Sequence, residues 1–288
     1  MKTRLFRLVS GAPAGVFLAG SLAALFSLAV PTFRNQALLA ASQAASQLSR
    51  AKESRPKAVP VPPVAKDLAV PYRAGETLNY RITWAAFTTA ASLEVTVPER
   101  RNLFGWPTWH FRAALHTQAP VRTLFTVDDE FDSYADAATL ETRQYESYLD
   151  ELGRKNTQVL HFVSVGVASR VPGPYVRVLP GTRDPVGVLF SLRGVDWQKT
   201  PEFNAPLYDG RDTYQVTARL EAKGDAVTVA AGSFSASRVA VRLSRKDQKV
   251  QDINFEVWLA NNAQKTPVQF QAALPFGSVR AELAPPSK

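Results

Sequence analysis

Four carboxylates sit within five positions of this 288-residue chain, at Asp128, Asp129, Glu130 and Asp132. Hard oxygen ligands at that density are what Ca²⁺ takes. The run lacks the alternating ligand spacing and the glycine of a calcium loop, and Arg122 and Arg143 flank it, so it reads as a solvated turn. The histidines His110, His116 and His161 are the next candidate metal ligands. His110 and His116 fall on one face of one expected strand, and six residues of strand span ~20 Å, too far for two ligands of one ion. No metal site is expected. Serine hydrolysis needs a serine, a histidine base and an orienting acid. The chain has no Gly-x-Ser-x-Gly elbow, and Ser233 and Ser278 each follow a lone glycine that turns into a strand. Glu76 with Asp212 or Glu256 has the residue types of a glycosidase acid–base pair, although Glu76, next to Gly75, equally serves to open a strand. The chain has no cysteine, which excludes disulfides, thiolate metal sites and a cysteine nucleophile. No catalytic residue is assigned and no cofactor is expected.

The strongest grouping is aromatic. Tyr80, Trp84, Trp109, Phe111, Tyr214, Phe255 and Phe270 sit on the apolar sides of expected strands, and Phe190 sits on an expected helix. Such rings bury large areas and favour strands, so ordinary core packing accounts for them. The sharper reading makes them the lining of an apolar cavity, because a curved sheet either fills with side chains or holds a ligand.

The elements that would position these rings are strands. Leu78, Tyr80, Ile82 and Trp84 alternate with Asn79, Arg81 and Thr83, the period of a half-buried strand. The pattern recurs around Val95, Phe111, Val216, Val241, Val257, Phe270 and Ala281. Strands are also expected near Tyr145–Leu149 and Thr157–Val163, joined through Asp150 to Arg154. Asp209-Gly210-Arg211-Asp212 and Lys223-Gly224-Asp225 have the chemistry of tight turns. Short strands with one polar face argue for an antiparallel meander. One helix is expected: Asp184-Pro185 supplies an N-cap and a first-turn proline, Val186, Leu189, Phe190 and Arg193 follow at helical spacing, and Gly194 ends it. The stretch from Pro120 to Tyr134 fits either a short helix from Pro120 or a strand through Thr123, Phe125 and Val127. The fold expected is all-β, an antiparallel, strongly curved sheet or partly open barrel with one short internal helix that plugs or covers it.

An export leader precedes this body. Lys2, Arg4 and Arg7 are followed by an uncharged run over residues 8–33. That order marks a signal peptide, and its core from Gly11 to Val30 has the ~20 residues that cross a bilayer. Residues 1–34 are therefore a signal peptide or a signal-anchor, with residues 8–30 able to hold the chain in the inner membrane and the N-terminus cytoplasmic. Residues 35–68 form a Pro-rich linker carrying Pro56, Pro60, Pro62 and Pro63, a composition that favours extended polyproline II. Residues 69–288 form the β-rich domain. The net charge of +9 is concentrated up to residue 68, where nine basic and two acidic residues leave +7; the remainder holds 25 basic and 23 acidic residues. A body so balanced, without an aromatic RNA-binding motif or a basic recognition helix, gives no nucleic-acid partner.

Several segments together resemble the uncharacterised bacterial envelope family catalogued as domain of unknown function 3108. These are Tyr72-Arg73-Ala74-Gly75-Glu76-Thr77-Leu78-Asn79-Tyr80, Val127-Asp128-Asp129-Glu130-Phe131-Asp132, Asp184-Pro185 with Leu189 and Arg193, Gly232-Ser233-Phe234, Val257-Trp258-Leu259 and Thr266-Pro267-Val268. Phe276-Gly277-Ser278-Val279 through Glu282-Leu283 completes the series. Members often carry an acidic residue after the tryptophan strand, where this chain has Asn261-Asn262, so the resemblance carries no metal or charge role to that turn. It implies an exported β-rich domain and supplies no catalytic residues. The function expected is non-catalytic binding of an apolar or lipid-like component in the periplasm or cell envelope. A carboxylate-dependent envelope hydrolase and a protein-assembly scaffold are the alternatives, and no protein partner is identified.

Overall fold

The structure, a computed structural model, describes residues 66–286 apart from 170, 172, 246–251, 275 and 276. The expected leader and nearly all of the Pro-rich linker lie outside the described residues. Among those described, no helix is long and apolar enough to cross a membrane.

The first half of the body contains β1 (Glu76–Trp84), β2 (Phe87–Leu103), β3 (Trp106–Thr117), β4 (Asp128–Asp136), β5 (Thr142–Glu151), β6 (Arg154–Ser164) and β7 (Val176–Val178). After the helix α1 (Pro185–Gly194) come β8 (Glu202–Tyr208), β9 (Thr213–Val229), β10 (Gly232–Arg245), β11 (Ile253–Ala260), β12 (Pro267–Leu274) and β13 (Gly277–Leu283). All thirteen strands form one sheet, in the order β7-β6-β5-β4-β3-β2-β1-β13-β12-β11-β10-β9-β8. The chain thus meanders outward from β1, turns inward through α1, and meanders back until β13 pairs with β1. Every pairing is antiparallel except β6 with β7.

The edge strands β7 and β8 are separated in sequence by the helix and its flanking segments. Their gap is bridged by Thr182 and Arg183: the Thr142 amide donates to the Thr182 carbonyl at 3.1 Å, and Arg183 exchanges backbone bonds with Pro206 and Tyr208 at 2.9 Å each. Further along, the Phe162 and Tyr208 rings meet at 5.7 Å and Gln158 donates to the Gly210 carbonyl at 3.4 Å. The sheet is therefore a nearly closed barrel. Pro206 lies in β8 because that strand is an edge, where a missing amide costs no ladder bond.

Alternation sets the inner wall. Tyr80, Ile82, Leu93, Val95, Phe111, Leu115, Phe131, Val216, Val239, Val257, Phe270 and Ala281 all belong to one buried cluster. The tight hairpin between β5 and β6 turns through Leu152 and Gly153, both at positive φ (52° and 76°), the twist-matched geometry of a two-residue loop. Two segments differ from expectation. The acidic run is a strand, β4, rather than a turn, because Asp128 and Asp132 lie directly opposite His116 and Arg112 of β3 and are paired there. The stretch before it holds only a 3₁₀ turn over Val121–Thr123. Lys223-Gly224 is a bulge inside β9, with Ala222 opposite Arg238 and Asp225 opposite Ala236. The Asn261 side chain secures that bulge by donating to the Lys223 carbonyl at 2.8 Å. The chain reverses later, between β9 and β10.

Helix α1 is buried from Pro185 to Arg193 on every side. A helix buried all round belongs inside a core, and α1 packs against β3, β4 and β8. Phe190 stacks on Phe111 with centroids 3.8 Å apart, and Tyr72 sets its ring edge against both. Asp184 caps the helix by accepting from the Gly187 amide at 2.8 Å. Its other oxygen accepts from Ser133 at 2.5 Å and Thr142 at 2.6 Å.

Gly187 makes this approach possible. A Cβ there would lie 3.0 Å from Asp184 Oδ2 and 3.4 Å from each of the two hydroxyls. Gly187→Ala is expected to lower stability by about 1–3 kcal/mol through overpacking, against the ~1 kcal/mol that alanine gains in an exposed helix. Chemical denaturation measures the sign, and a more stable variant would refute this packing account.

Candidate functional site

The barrel interior has two unlike sides. Between α1 and the wall made by β1, β2, β3, β11, β12 and β13 lies a crevice of about 40 Å³. Its lining is aliphatic and aromatic throughout, with Val188, Leu189 and Leu192 from the helix facing Ile82, Leu93, Leu115, Phe255, Phe270, Val279 and Ala281. Most of these side chains are buried; Phe255 is half-buried and forms the more exposed part of the lining. A pocket for a drug-sized ligand runs to roughly 300–1,000 Å³. The crevice therefore has room for the end of an apolar chain, and most of the interior is filled.

The aromatic residues singled out from the sequence are distributed through this interior. Phe255 and Phe270 line the crevice. Tyr80 is buried, meets Phe270 edge-on at 5.5 Å and donates to the Pro267 carbonyl at 2.8 Å. Phe111 and Phe190 form the stacked pair under Tyr72, and Trp109 lies 5.5 Å from Tyr72 on its other side. Trp84 stacks on Phe87 at the end of β1, and Tyr214 packs under the Arg245 guanidinium at 5.8 Å. The structure thus brings two of the eight to the crevice and places the rest around it.

The adjoining side of the interior, beyond β3, is acidic. Asp129 is fully buried on the inner face of β4, beside Phe131. Its Oδ1 accepts from the Asp150 amide at 3.0 Å, and its Oδ2 has no partner. Burial pushes its carboxyl up to about 7, the Asp150 amide opposes that, and nearby Glu151 adds to it. Burial also raises Glu151 and Asp209, each of which keeps one unpartnered oxygen. Across the β3–β4 ladder Asp129 stands directly opposite Leu115, a wall residue of the crevice.

The other acids considered from the sequence are occupied. Glu76 Oε1 lies 2.6 Å from Nη1 of Arg193, a charge contact rather than an aligned hydrogen bond. The Arg193 side chain is 1% exposed, and it also donates to the Gln264 carbonyl at 3.0 Å. Asp212 pairs with Arg245 at 2.8 Å in the β8–β9 turn. Glu256 pairs with Arg238 at 3.0 Å on the outer face of β11. The three carboxylates lie at different ends and faces and form no acid–base pair. On the outer face of β3, His110 bonds Asp132 at 2.5 Å and stacks on Tyr134 at 4.5 Å, while His116 bonds Asp128 at 2.9 Å. Burial works against the Asp132 charge, but His110 and Arg112 hold its carboxyl low. Arg122 is the main cause that brings Asp128 down to about 2. His161 packs edge-on against Phe104 at 5.3 Å. Among the described residues, no group of three or more His, Cys, Asp or Glu is placed to hold a metal ion.

Two outcomes are expected from this arrangement. Glu76→Gln should destabilise the domain by about 3–5 kcal/mol, because it strands a buried guanidinium, and Glu76→Gln with Arg193→Met should recover much of the loss; urea titration decides. The native state holds the Asp129 proton up to about pH 7, whereas an unfolded carboxyl releases it near its ordinary 3.8. Stability should therefore fall as pH rises between those values. Asp129→Asn should flatten that limb, and an unchanged pH profile would count against the placement of this carboxyl.

A family model described as "Protein of unknown function (DUF3108)" matches residues 79–284. No curated protein matches the chain. Among solved structures, a β-barrel-like protein of the unknown-function domain DUF1849 from Brucella abortus is 11% identical, with a TM-score of 0.41, over 73% of this chain and 95% of that one. A candidate lipoprotein from Parabacteroides distasonis is 12% identical, with a TM-score of 0.37, over 76% of this chain and 99% of that one. A candidate exported protein with a YmcC-like fold from Bacteroides fragilis is 10% identical, with a TM-score of 0.34, over 77% and 100%.

Proposed function

The chain belongs to the DUF3108 family of proteins of unknown function, and on that premise we propose that its body is a non-catalytic receptor for an apolar, lipid-like component of the cell envelope. The observation that carries this reading is the wholly apolar crevice under α1. Its size selects the end of an alkyl or acyl chain over a complete lipid. The basic start and the uncharged run over residues 8–33 support export to the periplasm, with residues 8–30 as an inner-membrane anchor. The separate engagement of Glu76, Asp212 and Glu256 tells against the hydrolase alternative.

The apolar grip would work by exclusion of water. Each methylene moved into the crevice is worth about 0.8 kcal/mol, and the rigid wall of β1, β13 and α1 limits how many can enter. Ala281 faces Ile82 across the β1–β13 ladder and Phe270 across β12–β13, so a larger side chain there occupies the crevice directly.

Titration of n-hexanol against the purified domain, followed through the methyl NMR signals of Ile82 and Val279, tests the reading. Saturable shifts are expected. Ala281→Val should weaken binding by roughly tenfold, about 1.4 kcal/mol, while leaving the melting temperature near that of the parent. Absence of saturable shifts in the parent would end the proposal.

A further inference from the structure

The two sides of the interior meet at one cross-strand pair, Leu115 on β3 and Asp129 on β4. Directly opposed residues on one face of an antiparallel ladder have Cβ atoms about 4.5–5.5 Å apart. Leu115 walls the apolar crevice and Asp129 presents a fully buried carboxyl with an unpartnered Oδ2. An interior carboxylate with one oxygen unpartnered is costly; elsewhere the chain answers enclosed acids with cations, Arg193 to Glu76, Arg112 to Asp132 and Arg143 to Asp136, or with hydroxyls, Ser133 and Thr142 to Asp184. The charged neighbours acting on Asp129 are Glu151, Asp128 and Asp150, all acids. Asp129 and Asp209 also both act on buried Tyr145 from β5.

We propose that the interior selects an alkylammonium: an apolar chain seated against Leu115 and the crevice, carrying a protonated primary amine that donates to Oδ2 of Asp129. This inference rests on the crevice reading and names the chemistry of its ligand. An ammonium supplies the donors and the charge that the inner face of β4 lacks. Asp129 lies behind the crevice wall, one residue across the sheet from Leu115, so the amine has to be carried past Leu115 to reach it. The unpartnered Oε1 of Glu151, on the neighbouring β5, provides a second acceptor on the same side. A neutral alcohol of equal length fills the crevice but brings no charge. A carboxylate of equal length meets like charge from Asp129, Glu151 and Asp150. Ionisation of Asp129 around pH 7 makes the preference pH-dependent, since an amine of this kind stays protonated throughout that range.

The test uses n-hexylamine, n-hexanol and hexanoate as probes of the purified domain at pH 6 and pH 8. The amine should bind at least tenfold more tightly than the alcohol at pH 8, by a smaller margin at pH 6, and hexanoate should bind most weakly. Asp129→Asn, which keeps the Oδ1 acceptor for the Asp150 amide, should abolish the amine preference, bringing n-hexylamine to the affinity of n-hexanol for the same variant. Wild-type pH dependence reads the same charge without relying on any variant to fold. Equal binding of amine and alcohol, a preference that survives Asp129→Asn, or a pH-independent ratio would each overturn this inference while leaving the crevice reading intact. Failure of all three probes would overturn both.

Discussion

A helix with no polar face has to be enclosed, and its charged ends then have to be answered inside the protein. That constraint organises the barrel. Asp184, at the start of α1, is held by hydroxyls from β4 and β5, and Arg183 joins β8 through its backbone. The Arg183 guanidinium returns to Ser191 on the helix at 3.0 Å and to the Thr139 carbonyl at 2.7 Å. At the other end Arg193 reaches Glu76 on β1 and the loop before β12. One ten-residue helix therefore ties together the outgoing and the returning meander. Buried pairs of this kind add little net stability compared with apolar packing, but breaking one is costly. Their effect is to fix where the helix lies.

That placement decides what the interior can be. Because Asp184 is drawn to β4 and β5, the helix leans on the polar side of the barrel. Its Val188, Leu189 and Leu192 then face the opposite wall without filling the space completely. The residual crevice is a consequence of where the clasp holds α1. An apolar side and an acidic side follow from the same geometry, since the inner face of β4 carries Asp129 and Ser133 as well as Phe131.

Much of this was legible in the residues. Period-two patterns located β1, β3 and the strands from β9 to β13, and Asp184-Pro185 with its helical spacing located α1. The Asp209 to Asp212 turn was equally plain. The sequence did not disclose β7 or β8, which are short or interrupted by Pro206 and are stabilised by neighbours distant in the chain. Gly224 looked like a turn because glycine serves a bulge as well as it serves a reversal. The crevice was illegible because Ile82, Leu93, Val279 and Ala281 are ordinary core aliphatics whose shared void depends on how a helix docks. Asp129 left a signal that could have been read. Once the run is taken as a strand opposite His116 and Arg112, Asp129 falls on the face of Phe131, and its neighbours fall on the face of the cations.

The acidic strand contains its own control. Asp128, Asp129 and Asp132 share a residue type, a strand and a neighbourhood, and differ mainly in the side of the sheet they face. The outward pair meets Arg122, His116, His110 and Arg112, and both carboxyls are held low. The inward one meets a single backbone amide and other acids, and its carboxyl rises. Composition cannot explain that difference, because cations are abundant a few ångströms away on the other face. A barrel stabilised only by packing would place an aliphatic residue opposite Leu115 on β4, as it does on β2, where Leu93 faces Leu115. An ionisable group at that position, with no counter-charge among the described residues acting on it, is what the proposed alkylammonium would answer.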